Sequence, residues 1–195
     1  MTASSSFHQL LLPCLLAAVT LSWISSAVEA ARPRVLLAPA SSSRPQSKPQ
    51  PGAAPDQYLS GHNQARAAVG VAPLRWSAAL GSEASRVVRI QQAEKGCEFA
   101  DLSSSRYGAN QAWASYAVRA TEAVRSWVEE GKFYNYGNNS CAAGHPCGTY
   151  TQVVWRNSAE LGCAQATCAA KGGATSSLTL CLYDPPGNIL GQKPY

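Results

Sequence analysis

Side chains able to do acid–base or metal chemistry are few in this chain. Histidine occurs three times, at His8, His62 and His145. A carboxylate beside an imidazole would favour its charged form and could orient it as a base. A nucleophile to complete a hydrolytic set is missing: there is no G-x-S-x-G elbow, and Ser103–Ser105 read as loop. Zinc takes about four N, S or O ligands, or three and a water, so two residues would hold it weakly. Cys163 and Cys168 are close enough to suggest a zinc knuckle, but neither a C-x-x-C pair nor a neighbouring His-x-x-x-His supports one. Two other clusters stand out. Trp127, Phe133, Tyr134 and Tyr136 gather flat apolar surface suited to a ligand wall. Asn138-Asn139-Ser140 is an N-glycosylation sequon, with Asn138 the acceptor.

Composition places this chemistry outside the cell. Of 195 residues, 14% are charged and 46% hydrophobic, which suits one globular domain with extensions. The apolar run from Leu10 to Val19 is too short for the roughly 18 residues of a membrane span. It fits a signal-peptide core over 1–30, with Val28-Glu29-Ala30 as the cleavage site. Cys14 leaves with that segment. Six cysteines remain, and an even number in a small secreted domain reads as a disulfide framework whose pairing arithmetic alone leaves open. Residues 31–55 are rich in Pro, Ser and Ala and carry Arg32, Arg34, Arg44 and Lys48 without an acid. Such a segment buries too little to order itself and reads as a linker or propeptide. Net charge is +5 over the whole sequence. With the rest of the domain near balance, it is no nucleic-acid stripe.

The folded domain is expected over 56–195. Tyr58, Leu59, His62, Ala65, Arg66 and Val69 recur at helical spacing, which puts His62 and Arg66 on one face of a first helix ending at Gly70. A second helix is predicted over Ser77–Lys95, stopped by Gly96, and a third from an N-cap at Thr121 to Gly131. Strands are predicted at Tyr150–Trp155, Leu161–Cys168 and Ser177–Asp184. The last two form a hairpin about Lys171-Gly172-Gly173. Helices followed by antiparallel strands give an α+β layered domain.

Several motifs occur together and in order: His62-Asn63-Gln64-Ala65-Arg66, Trp127-Val128-Glu129-Glu130, Gly148-Thr149-Tyr150-Thr151-Gln152-Val153-Val154-Trp155, and Cys181-Leu182-Tyr183-Asp184-Pro185-Pro186-Gly187-Asn188. Across 56–195 the chain resembles the plant pathogenesis-related 1 branch of the CAP (SCP) superfamily. The resemblance implies an α-β-α sandwich with a central antiparallel sheet and three disulfides, Cys97–Cys168, Cys141–Cys147 and Cys163–Cys181. It also implies a cavity tetrad of two histidines and two glutamates, here His62 and Glu130 with Ala109 and Thr149 replacing the other ligands, and the two that remain are expected to pair with each other as a hydrogen-bonded brace or a base with its orienting carboxylate. An incomplete tetrad of this kind resembles divergent, pistil-type members. No metal or other cofactor is expected. His145 is near in sequence, but Pro146 and the Cys141–Cys147 loop constrain it.

The function expected is that of a secreted, non-catalytic extracellular protein of defence or reproductive matrix, in apoplast or cell wall, binding a sterol or other apolar ligand at Trp127, Phe133, Tyr134 and Tyr136. The alternatives are release of a signalling peptide, 185–195, by a cut between Asp184 and Pro185, and a structural role through cell-wall or matrix contacts. No nucleic-acid partner is expected, and the protein is read as a monomer.

Overall fold

A computed structural model describes residues 54–169 and 173–195. The signal segment 1–30, almost all of the 31–55 linker, and Lys171 and Gly172 of the expected turn lie outside the described residues. The first helix opens at Ala54, two residues before the expected domain start.

The elements run in the order α1 (Ala54–Ala68), β1 (Arg75–Trp76), α2 (Ala78–Glu94), β2 (Gly108–Ala114), α3 (Ala120–Glu129), a 3-10 turn (Glu130–Phe133), β3 (Tyr134–Asn135), β4 (Ser140–Cys141), α4 (Gly148–Val153), β5 (Glu160–Ala169) and β6 (Thr175–Asp184). The main sheet has the order β1-β5-β6-β2. β5, β6 and β2 are antiparallel neighbours, and the two-residue β1 adds a parallel edge.

β6 explains the layering. Its leucines alternate with other buried residues, so both faces are covered. Leu178, Leu180 and Leu182 meet Leu80, Ala84 and Val88 of α2. Cys181 and Tyr183 face Tyr58 of α1, Val124 and Trp127 of α3, and Val153 of α4. The result is an α-β-α sandwich with α2 on one side and α1, α3 and α4 on the other. Each fully buried leucine contributes about 2 kcal/mol by burial alone.

All six cysteines of the described residues are paired, in the combination the resemblance implied. Cys97–Cys168 spans 71 residues of sequence and ties the exit of α2 to the end of β5. Closing so long a loop removes about 4 kcal/mol of unfolded-chain entropy in the chain-entropy account.

Three sequence expectations are corrected. Tyr150–Trp155 is not a strand: Gly148–Val153 is helix α4. Its β-branched residues favour extended chain, but tertiary partners at both ends override that preference. Thr121 is not the cap of α3, which starts after Arg119, and the helix tightens into the 3-10 turn at Glu130 instead of stopping at Gly131. Finally, β2 was not anticipated. Gly108, Ala109 and Asn110 lack strand propensity, and pairing with β6 over seven residues makes the strand.

α2 lies on β5 at backbone contact. A Cβ at Gly162 would stand 2.1 Å from the Gly81 nitrogen and 2.4 Å from the Leu80 carbonyl carbon. Gly162→Ala must therefore push α2 off the sheet. We expect it to cost about 3 kcal/mol or more, read as a lower denaturant midpoint in equilibrium unfolding. A midpoint unchanged from the parent would contradict this packing.

Candidate functional site

The residues of the H-N-x-x-R motif all point inward from α1, and each has a task in the interior. His62 is fully buried. Its Nδ1 lies 2.8 Å from the Tyr58 carbonyl and its Nε2 lies 2.7 Å from the Tyr183 hydroxyl. A carbonyl only accepts, so Nδ1 carries the proton and Nε2 accepts from Tyr183. Tyr183 in turn accepts from Asn110 Nδ2 at 3.0 Å, and the same amide donates to the Thr149 carbonyl at 2.9 Å. This closed chain needs a neutral imidazole. Burial, reinforced by the nearby Arg66 charge, lowers the His62 pKa to about 4.

Asn63 bridges backbone: its Oδ1 accepts from Leu74 N–H and its Nδ2 donates to the Leu74 carbonyl. Arg66 is 1% exposed. Its guanidinium donates to the carbonyls of Ala72, Val153, Trp155 and Ser158 at 2.7–3.1 Å. Burial pulls its pKa down, to about 10, which leaves it charged at neutral pH. Val153 ends α4 and Trp155 follows its C-cap, and carbonyls at a helix end, with the helix dipole, favour a cation. At the other end, Glu130 accepts the Thr149 N–H at 3.1 Å. A carboxylate at the first turn and a guanidinium at the last clamp this short helix.

The expected His62–Glu130 pair is therefore not made. Both imidazole nitrogens are taken, and Glu130 turns to the backbone of α4. The imidazole is held neutral by burial, contrary to the charged form that a carboxylate partner would favour. Ala109 is also displaced from the expected cavity. It packs with the α2 cluster, whereas its neighbour Asn110 faces Tyr183 across the other side of the sheet. Thr149 Oγ1 is buried without a hydrogen-bond partner. His145 stacks on Phe133 at 4.0 Å between centroids, away from Thr149. A neutral hydroxyl, a carboxylate already bonded to backbone, and an imidazole with no free nitrogen do not fit a zinc ion. Among the described residues, no three His, Cys, Asp or Glu side chains cluster as ligands.

The aromatic cluster is more open. Phe133 stacks on the His145 ring and has the Lys132 ammonium 4.9 Å from its centroid. Tyr136 stacks on Tyr195 at 4.8 Å and 13°, with Lys193 Nζ 4.2 Å from its centroid. Tyr134 meets Tyr195 edge-on and leans on Tyr150. Phe133, Tyr134 and Tyr136 line a groove of about 680 Å³, tied at its base by Cys141–Cys147. Trp127 is a correction: it is 3% exposed in the core, donating from Nε1 to the Gln111 carbonyl, and lines no part of this groove. Sequence reasoning missed Tyr150, Lys193 and Tyr195, which reach the loop only through folding. A larger cleft, of about 980 Å³, lies between α2 and residues 98–107.

The segment after β6 is stitched down. Ser158 Oγ donates to the Pro185 carbonyl, Gly187 N–H to Gln152 Oε1, and Asn188 Nδ2 to the Gly148 carbonyl. Arg156 N–H donates to the Pro194 carbonyl at 2.7 Å. Asp184 and Pro185, the expected cut, thus join β6 to a docked strap.

Residues 59–183 match the family described as CAP, the cysteine-rich secretory protein family. The STS14 protein of Solanum tuberosum is 54% identical over 143 residues, covering 73% of this chain and 65% of that protein. Pathogenesis-related protein 1B of Nicotiana tabacum is 45% identical over 139 residues, covering 71% and 79%. Among solved structures, Schistosoma mansoni venom allergen-like protein 4 superposes with a TM-score of 0.55 at 24% identity, covering 74% of this chain and 94% of that one. That likeness concerns the fold alone.

The neutral His62 sets a pH dependence. Above pH 6.5, its ordinary value, folded and unfolded chains both hold it neutral. Below that value the unfolded chain takes up a proton that the native one refuses until about pH 4. Stability should drop by about 3 kcal/mol from this residue across that window. Urea unfolding of the parent and of His62→Asn at several pH values checks it. The parent should lose more stability than the variant on acidification, and equal slopes would contradict a buried neutral histidine.

Proposed function

The chain belongs to the CAP (cysteine-rich secretory protein) family, and from that premise we propose that it is an extracellular, non-catalytic defence protein that binds a sterol or similar flat apolar ligand. Its pathogenesis-related relatives support the defence setting. Its three disulfides suit an oxidising compartment. A role in reproductive matrix belongs to the same reading, as a second tissue for one activity.

The observation that carries the ligand is the groove along Phe133, Tyr134 and Tyr136, fixed at its base by a disulfide. Rings held this way lose little conformational freedom on binding, and their faces favour planar apolar partners. The larger cleft beside α2 mixes Val87, Ile90, Phe99 and Leu102 with Glu83, Arg86, Lys95 and Arg106 and lacks the row of flat rings. Catalysis is disfavoured by chemistry: the buried imidazole has no free nitrogen, and the hydroxyl beside it, that of Tyr183, is fully buried and engaged with His62 and Asn110. Release of 185–195 would break the hydrogen bonds that dock it to Gly148, Gln152 and Ser158. We therefore read that segment as a strap.

The test is titration of the full chain, secreted and oxidised by a eukaryotic host, with a labelled sterol. Saturable binding is expected. The double variant Phe133→Ala/Tyr136→Ala should weaken it by about tenfold or more, or 1.4 kcal/mol. Absence of binding by protein with its disulfides intact would remove the proposal and leave matrix contact as the working role.

A further inference from the structure

The short hairpin that lines the groove carries the sequon Asn138-Asn139-Ser140. β3 and β4 pair with Tyr134 opposite Cys141 and Asn135 opposite Ser140. Tyr136-Gly137-Asn138-Asn139 connects them. Asn135 Oδ1 accepts from Gly137 N–H at 2.9 Å, which fixes the start of the turn. Asn139 takes the left-handed conformation at φ 53°, one that asparagine tolerates better than most residues. Its side chain is committed: Oδ1 accepts from the Tyr134 hydroxyl and Nδ2 donates to the Gln192 carbonyl.

Asn138 is the opposite case. It is exposed. Its Oδ1 accepts from Ser140 Oγ at 2.8 Å, and its Nδ2 makes no hydrogen bond among the described residues. The sequon's hydroxyl therefore already contacts the acceptor amide, and the reactive nitrogen faces solvent. Two residues earlier, Tyr136 lines the same groove as Asn138 and Ser140. It keeps 43% of its surface exposed although Tyr195 stacks on it. An N-acetylglucosamine ring carries axial C–H bonds that pack on the electron-rich face of such a phenol.

We propose that Asn138 is N-glycosylated and that Tyr136 seats the first sugar on its exposed surface, where the Lys193 ammonium now reaches. In the transfer, Asn138 Nδ2 forms a bond to the anomeric carbon of a lipid-linked oligosaccharide. The anomeric carbon–oxygen bond to pyrophosphate breaks, and the lipid pyrophosphate leaves with the electron pair. The amide gives up one proton. The glycan then walls one side of the aromatic groove. Asn139 carries none, because its amide is used and the residue two positions on is Cys141, bound to Cys147.

This inference rests on the extracellular reading, since the donor lipid is met only on the secretory route, but not on sterol binding. The experiment expresses the full chain in a mammalian secretory host and treats the purified protein with peptide N-glycosidase in heavy-oxygen water. Peptide mass spectrometry should find Asn138 converted to labelled aspartate. Asn138→Gln and Ser140→Ala should each abolish the label, and Tyr136→Ala should speed enzymatic release of the glycan from the native protein. Unmodified Asn138 in protein recovered from the medium would overturn the site, and an unchanged release rate in Tyr136→Ala would overturn the seating role. If the chain does not reach the medium, the extracellular reading fails separately. A foreign secretory leader ahead of the full chain then decides the site: label at Asn138 keeps it, and an unlabelled Asn138 ends it.

Discussion

A six-residue helix held at both ends by opposite charges is the constraint on which the helical layer depends. α4 is too short to persist alone, since helices below about 12 residues are marginal in water. Its sequence, Gly148 to Val153, favours extended chain. Glu130 takes an N–H of its first turn, and Arg66 takes the carbonyls of Val153 and Trp155. The two charges come from α1 and from the end of α3, so the clamp also fixes α1, α3 and α4 against one another. Arg66 reaches further, to Ala72 and Ser158, and thereby sets the loops on either side. A buried cation without a carboxylate is tolerable only because carbonyl dipoles surround it.

The same arrangement decides what chemistry the interior can do. His62 is turned by the Tyr58 carbonyl so that its other nitrogen accepts from Tyr183, which stands in the middle of the sheet. Proton transfer at this site would break a chain of hydrogen bonds running to Thr149. Glu130 serves as a helix cap. Two residues that look like ligands or a base with its partner in the sequence thus become fasteners between layers. The open chemistry moves to the surface, where the Cys141–Cys147 bridge holds flat rings beside exposed amides.

Much of this was legible from the residues. Long periodic segments declared themselves, so α1, α2, β5 and β6 fall where spacing and glycine stops put them. The disulfide pairing followed from the family resemblance. What failed was whatever depends on distant partners. Val153, Val154 and Trp155 read as strand because the Arg66 clamp is 87 residues away in sequence. The β2 strand is invisible without β6 beside it. Trp127 sits among aromatic residues in the sequence, yet α3 buries it toward β2, while Tyr195 completes the cluster from the far end of the described chain. The resemblance placed His62 and Glu130 in one cavity, but each residue's partners are set by the packing of α1 and α3 on the sheet.

Equilibrium unfolding of Arg66→Met, with Arg66→Lys beside it, tests the clamp most directly. Methionine keeps most of the volume but takes the guanidinium from four carbonyls, of which that of Trp155 keeps the Ser158 N–H, and we predict a loss of about 3 kcal/mol or more, with lysine recovering only part of it because one ammonium lacks the fork that spans them. A methionine variant as stable as the parent would show that the buried charge costs as much as it contributes, and the account of α4 would have to rest on packing alone.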